Sequence, residues 1–263
     1  MAARVPSVGF DMLVFPKVQR VSGVLLQNAY VIYSKSFPAD QQLSYKEFAD
    51  FSHLPGEKTY LVLAIEKGGK RVVAGSFFAY FPKTSHLHCG LMYVDPSWRG
   101  KRIGNSFFKR AERSLLSRHK NAEYFTLQTE SAIRYQEGIS PERRLANFKR
   151  ERFWERLGFL RLNVPLPTGS IKGSNAFWDL RVKTYGHRDP NEWATIERKQ
   201  AARLLIDINR LNPGLRQKTE LGVFLSPDAR RQILRELGAK HESRGFLLGP
   251  PFRLKSGSRN QPR

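Results

Sequence analysis

Apolar positions recur at three- and four-residue spacing in two early stretches, "SGVLLQNAYVIYSKSFP" and "LSYKEFADFS". The first predicts a helix that stops before Pro38, and the second a helix opened by a Ser44–Glu47 capping box. Three runs rich in β-branched and aromatic residues follow, "TYLVLAIE", "RVVAGSFFAYF" and "SHLHCGLMYV". They read as strands, with the glycine pair of "EKGGK" turning the first into the second. From about Gly100, Ile103, Phe107, Phe108, Ala111 and Leu115 return at helical spacing, opposite Lys109, Arg110, Glu112 and Arg113. A strand "EYFTLQTE" comes next, then the polar stretch "RYQEGISPERR". This leads into a helix through "ANFKRERFWERLG" capped by Gly158, and the strands "FLRLNV" and "AFWDLRVKTY" flank a turn-rich segment.

After Tyr185 the pattern turns helical. Asp189 and Pro190 read as N-cap and first helical residue, and Trp193, Ile196, Leu204, Leu205, Ile208 and Leu211 form one apolar stripe. Ser226–Pro227 opens a shorter helix ending at Gly238, and the last dozen residues read as disordered. No internal repeat is visible. The element order predicts an α/β domain over residues 1–186 and a basic helical extension over 187–263 with a disordered tail.

Composition changes this picture in one respect. A 40% hydrophobic content with 18 Phe and 9 Tyr supports a real core, but the formal net charge is +22. That excess predicts attraction to polyanions: nucleic acid, an acidic carrier protein, or a phosphorylated small molecule. A surface merely solvated by Arg and Lys is the plain alternative. A single Cys excludes a disulfide framework, the N-terminus is a poor signal peptide, and no apolar run approaches membrane-spanning length. A cytoplasmic protein without membrane partners is expected, and its oligomeric state is open.

Charge also singles out one site. A helix start carries partial positive charge and favours acids, yet Arg99, Lys101 and Arg102 crowd the turn before Ile103. Gly100 and Gly104 leave the backbone open to close approach. Free first-turn amides plus added cations predict a bound phosphate or pyrophosphate. A solvated basic turn is the alternative reading.

"VDPSWRGKRIG" at a strand end resembles the acetyl-coenzyme A signature of the GNAT N-acetyltransferase superfamily, [R/Q]-x-x-G-x-[G/A]. Arg99, Gly100, Lys101, Ile103 and Gly104 match, while Arg102 stands where the pattern wants its central Gly. "NFKRERFWERLGF" resembles the later motif of that family through Asn147, Phe153, Glu155, Arg156, Leu157, Gly158 and Phe159. The resemblance spans residues 10–185. It implies a mixed, mostly antiparallel central sheet flanked by helices, and acetyl-CoA as acyl donor with no metal. It assigns cofactor contacts to Met92, Tyr93 and Val94 on the strand, Arg99, Gly100, Lys101, Arg102, Ile103, Gly104 and Asn105 on the loop and helix start, and Asn147 and Trp154 downstream.

Amine acetylation needs a proton acceptor, a positioned amine and a stabilised oxyanion. His86 and His88 share one face of their strand, and a His reaches a working pKa with little tuning. "HLH" resembles the His pair of the arylalkylamine acetyltransferases, which makes His88 the candidate base and His86 the relay; two ordinary polar strand residues are the alternative. Glu130 is the reserve base. A two-His metal site lacks a third ligand, since His53, His119, His187 and His241 show no ligand-like spacing. The family often places an acidic Tyr where this chain has Trp154, whose indole N–H cannot serve as an acid, so Tyr135 or water is left for that step. Phe37, Asp40 and Tyr45 are candidate acceptor contacts in the region between the first two helices.

Three functions remain open on sequence grounds. One is acetyl transfer to a small primary amine by direct attack in a ternary complex. Another is the same chemistry on a nucleic-acid-associated macromolecule such as tRNA, the ribosome or a bound protein. The third is non-catalytic acyl-CoA binding.

Overall fold

Strand formation follows the apolar runs closely, because both faces of the central strands are covered. A computed structural model describes residues 9–16, 20–50, 58–130, 140–166, 178–185, 195–197, 204 and 245–247. Seven strands form one sheet in the order β1-β2-β3-β4-β5-β7-β6. They are β1 (Phe10–Phe15), β2 (Lys58–Glu66), β3 (Val72–Phe81), β4 (His86–Val94), β5 (Tyr124–Glu130), β6 (Leu160–Leu166) and β7 (Trp178–Thr184). All neighbours are antiparallel except β4 and β5, which run parallel.

Helices α1 (Gly23–Ser36) and α2 (Tyr45–Asp50) bury Leu26, Tyr33 and Phe48 against one sheet face, on Leu61, Leu63, Phe77 and Tyr93. On the other face α3 (Ile103–Arg118) and α4 (Pro141–Glu155) bring Phe107, Phe108 and Trp154 onto Val62, Phe78, Phe125 and Leu127. The near-continuous burial of β2 and β3 is the mark of strands covered on both sides. The capping box of α2 forms as expected: Ser44 N donates to Glu47 Oε2 at 2.7 Å, and Glu47 N donates to Ser44 Oγ at 3.2 Å.

Three elements depart from the sequence expectation. The edge strand β1 pairs with β2 over Phe10–Phe15, where no element was predicted. Helix α4 begins at Pro141, inside the stretch read as a polar lead-in, because Ser140 caps it by accepting from Arg143 N at 3.2 Å. In the expected helical extension, Thr195–Glu197 is instead a strand, β8, paired antiparallel with β9 (Gly245–Leu247). Ile196 therefore sits opposite Phe246 rather than on a helical stripe. A three-residue ladder with a β-branched Thr and Ile outweighs local helical periodicity there. Among the described residues, no helix is long and apolar enough to cross a membrane.

Candidate active site

Two irregularities of β4 create the site. Phe77 pairs with Leu91 and Phe78 with Cys89, so Gly90 is left over as a bulge. Ser76 fastens it: its hydroxyl donates to Leu91 O at 2.7 Å and lies 3.3 Å from Cys89 Sγ. Beyond the bulge β4 leaves β5. The two strands pair only from His86–Tyr124 to Cys89–Leu127, whereas β5 continues against β7 as far as Glu130. The edge of β4 from Gly90 to Val94 thus faces a cleft with its backbone groups unpaired by β5, ready to bond an extended ligand.

At the open end of that cleft the chain turns into α3. Asp95 caps the turn by accepting from Ser97 N at 2.9 Å and Ser97 Oγ at 2.8 Å, and it pairs with Arg71 at 2.8 Å. Burial pushes the Asp95 carboxyl upward, but the bonds from Arg71 and Ser97 outweigh it and hold the group below the usual carboxylate range. Gly100 lies at φ +79° and Arg102 at φ +62°, both in the left-handed region. Arg102 thereby takes the backbone shape that glycine supplies without strain, with its side chain exposed. The first turn of α3 closes with Ser106 N on Arg102 O at 3.1 Å, which leaves the amides of Ile103, Gly104 and Asn105 without helical acceptors. No acid stands in that turn. Arg99 Nε donates to Val94 O at 3.3 Å, and the Lys101 ammonium lies 5.1 Å from the Trp98 ring centre, so both cations are fixed beside the amides.

The expected cofactor contacts divide by atom type. Ile103 is buried and offers only its N–H, and Gly104 packs near Met92, Val94 and Phe153. Tyr93 points into the α1–α2 aromatic cluster beside Tyr33 and Phe48, so its backbone alone lines the β4 edge. Asn147 is buried with Nδ2 lacking any partner, while its Oδ1 accepts from Arg150 at 3.1 Å. A buried donor with nothing to bond, an unpaired strand edge and bare first-turn amides suit a ligand that is part amide and part diphosphate. Acetyl-CoA is such a ligand, and the residues present fit it. Trp154 packs edge-on against Phe108 at 5.0 Å and belongs to the core.

His86 and His88 lie on the α1–α2 face at the closed end of the cleft. His88 Nδ1 bonds Thr126 Oγ1 at 2.9 Å, and burial lowers its pKa to about 3. His86 stacks on Phe81 at 4.5 Å with Nδ1 2.8 Å from Thr84 Oγ1, and burial followed by the nearby His88 lowers its pKa well below the usual value. Sequence reasoning anticipated a group near neutrality; the fold keeps both rings uncharged. Glu130 is buried at the end of β5, pairs with Arg143 Nε at 3.0 Å, and accepts from Gln41 at 3.4 Å. It thereby ties β5 to α4 and to the α1–α2 connection. Burial raises the Cys89 thiol to about 12, which makes it a packing group rather than a nucleophile. Tyr135 lies outside the described residues. Phe37 packs on Tyr33 at 5.0 Å and Tyr45 meets Tyr30 edge-on at 5.2 Å, while the Asp40 side chain lies outside the described residues. Among the described residues no group of three His, Cys, Asp or Glu could hold a metal.

Sequence reasoning missed Ser76, Thr126 and Arg143. Each acts through a partner distant in sequence and carries no local motif.

The acetyltransferase (GNAT) family model matches residues 26–159. No curated protein matches this chain in sequence. Among solved structures, the ribosomal-protein-S18-alanine N-acetyltransferase from Escherichia coli is 15% identical with a TM-score of 0.44, covering 70% of this chain and 100% of its own. The aminoglycoside 6'-N-acetyltransferase from Enterococcus faecium is 18% identical with a TM-score of 0.47, covering 68% and 99%. Because the family model spans half of the sequence, from within α1 to the residue before β6, and includes both motifs and the split pair of strands between them, the chain belongs to the GNAT family of acetyltransferases.

Proposed function

We propose that this enzyme moves an acetyl group from acetyl-CoA to a primary amine within a ternary complex. The observation that carries the reading is the parting of β4 from β5 beyond Cys89, directly beside the bare amides that open α3. When bound, the thioester supplies an activated acyl group and a thiolate that leaves without strong acid assistance.

Arg99 and the amides of Ile103, Gly104 and Asn105 would hold the diphosphate. The β4 edge from Gly90 to Val94, unpaired by β5, would hold the extended arm by main-chain bonds and could offer amide donors to the thioester carbonyl. Asn147 Nδ2, buried without a partner, would donate to an amide carbonyl of the arm. With His88 held uncharged and Glu130 paired to Arg143, positioning and amide donors carry most of the rate. The amine loses its proton to water at the mouth, and His88, bonded to Thr126, maintains the shape of the closed end.

An assay of CoA thiol release across a panel of primary amines tests this. Amine-dependent release is expected, with Arg99→Glu raising KM for acetyl-CoA by roughly tenfold or more and His88→Gln lowering kcat by less than about tenfold. Thiol release that ignores every amine would overturn the assignment.

A further inference from the structure

Three of the four acids of α3 and α4 are turned inward. Glu112 bonds Lys183 Nζ at 2.6 Å and accepts from the Tyr185 hydroxyl; Glu151 pairs with Arg181 at 3.0 Å, and Glu155 lies 3.8 Å from the same guanidinium. Their partners Arg181 and Lys183 belong to β7, whose cationic residues alternate onto the face that the two helices cover. These pairs leave Glu112 and Glu151 buried and Glu155 half-buried.

What remains outside has one sign. From Lys101 to Lys120 every exposed charged side chain is cationic, and on α4 Glu142 is the one exposed acid against Arg144, Lys149 and Arg152, with Arg156 exposed at its C-cap. Both helices pack on the same core, with Phe108 on Trp154, so their outer surfaces lie on one side of the sheet. Like charges at helical spacing destabilise a helix unless something opposes them. A 16-residue helix extends about 24 Å. Over that length a nucleic-acid duplex offers about fourteen phosphates.

We infer that the outer surfaces of α3 and α4 form a docking surface for the phosphate backbone of a nucleic-acid duplex. Chemistry separates this partner from other polyanions. Protein interfaces need apolar or aromatic anchors at their centre, and membrane-binding helices need an apolar face to insert. Among the large hydrophobic residues exposed in the described structure, Leu145 alone lies on these helices. Single-strand binding relies on exposed aromatic platforms, and neither helix presents one. A duplex backbone needs only cations in register. The surface is independent of acyl transfer, since Lys109, Arg113 and Arg118 take no part in the cleft.

Fluorescence anisotropy of the full chain with a labelled duplex of about 20 base pairs, between about 50 and about 200 mM salt, tests the inference. Separate RNA and DNA arms identify the helical form preferred. The wild type is expected to bind with log K falling steeply against log salt. The triple variant Lys109→Gln, Arg113→Gln, Arg118→Gln should bind roughly a hundredfold more weakly at about 0.1 M salt, with the slope reduced by about 2 to 3. Its circular dichroism and its stabilisation by acetyl-CoA should match the parent. Unchanged affinity in the triple variant would overturn the inference, as would tighter binding of a single strand than a duplex, or equal competition by polyglutamate of matched charge.

Discussion

Arg102 holds a left-handed backbone at the entrance to α3, a conformation that costs an L-residue about 1–2 kcal/mol. Arg102→Gly should therefore raise stability by up to about 1 kcal/mol in urea denaturation while leaving acetyl-CoA affinity within about threefold, since the exposed side chain is dispensable. Gly100→Ala is the converse: nothing obstructs its Cβ, so any loss, expected near 1 kcal/mol, reports backbone strain at φ +79°. His88 makes a pH prediction. Its native pKa is depressed to about 3, so below the unfolded value of 6.5 the unfolded chain takes up a proton that the folded chain refuses. Stability from this group is full above about pH 6.5 and declines as pH falls toward 3, by about 2 kcal/mol at pH 5. Unfolding of His88→Gln should depend less steeply on pH across that window, and an equally steep profile would contradict the buried, uncharged ring. The sequence placed Arg102 and His88 correctly on a helix start and a strand. It could not show burial of the ring, because Thr126 meets it only through strand pairing.

At the scale of elements, the bulge in β4 determines where the cleft opens. Ser76→Ala removes the hydroxyl that bonds Leu91 O and should cost about 1–2 kcal/mol, with weaker acetyl-CoA binding in calorimetry. Gly75 is a second packing constraint. A Cβ there would stand 2.3 Å from the Tyr93 hydroxyl and 2.4 Å from Cζ, and Tyr93 is wedged against Tyr33 and Phe48. Gly75→Ala should destabilise by about 1–3 kcal/mol, measured by thermal unfolding, and Tyr93→Phe should not rescue it because the ring remains in the way. Strands β2 to β5 and helices α1 to α3 were legible from periodicity, and so was the turn at Gly68. The edge strand β1 was not: "FDMLVF" is short and only half buried, and it becomes a strand by pairing with β2. Nor was β8, whose partner Gly245–Leu247 lies far along the chain.

The whole molecule couples a net charge of +22 to a fold that hides its acids. Charge counting suggested a polyanionic partner but could not say where it would bind, because the pairing of Glu112 and Glu151 with β7 depends on tertiary structure. The two family motifs singled out the proposed cofactor loop, whereas the Gln41–Glu130 contact joins segments that no local motif connects. The proposed function rests on the start of α3 gripping a diphosphate while the edge of β4 that β5 leaves unpaired aligns an amide-bearing arm. Isothermal titration calorimetry of the full chain with acetyl-CoA, alongside S-acetyl-pantetheine lacking the diphosphate, tests it most directly. Saturable micromolar binding of acetyl-CoA is expected, with at least about a hundredfold weaker binding of the truncated thioester, equivalent to about 2.7 kcal/mol. Equal affinity for the two ligands, or no heat from acetyl-CoA, would contradict it.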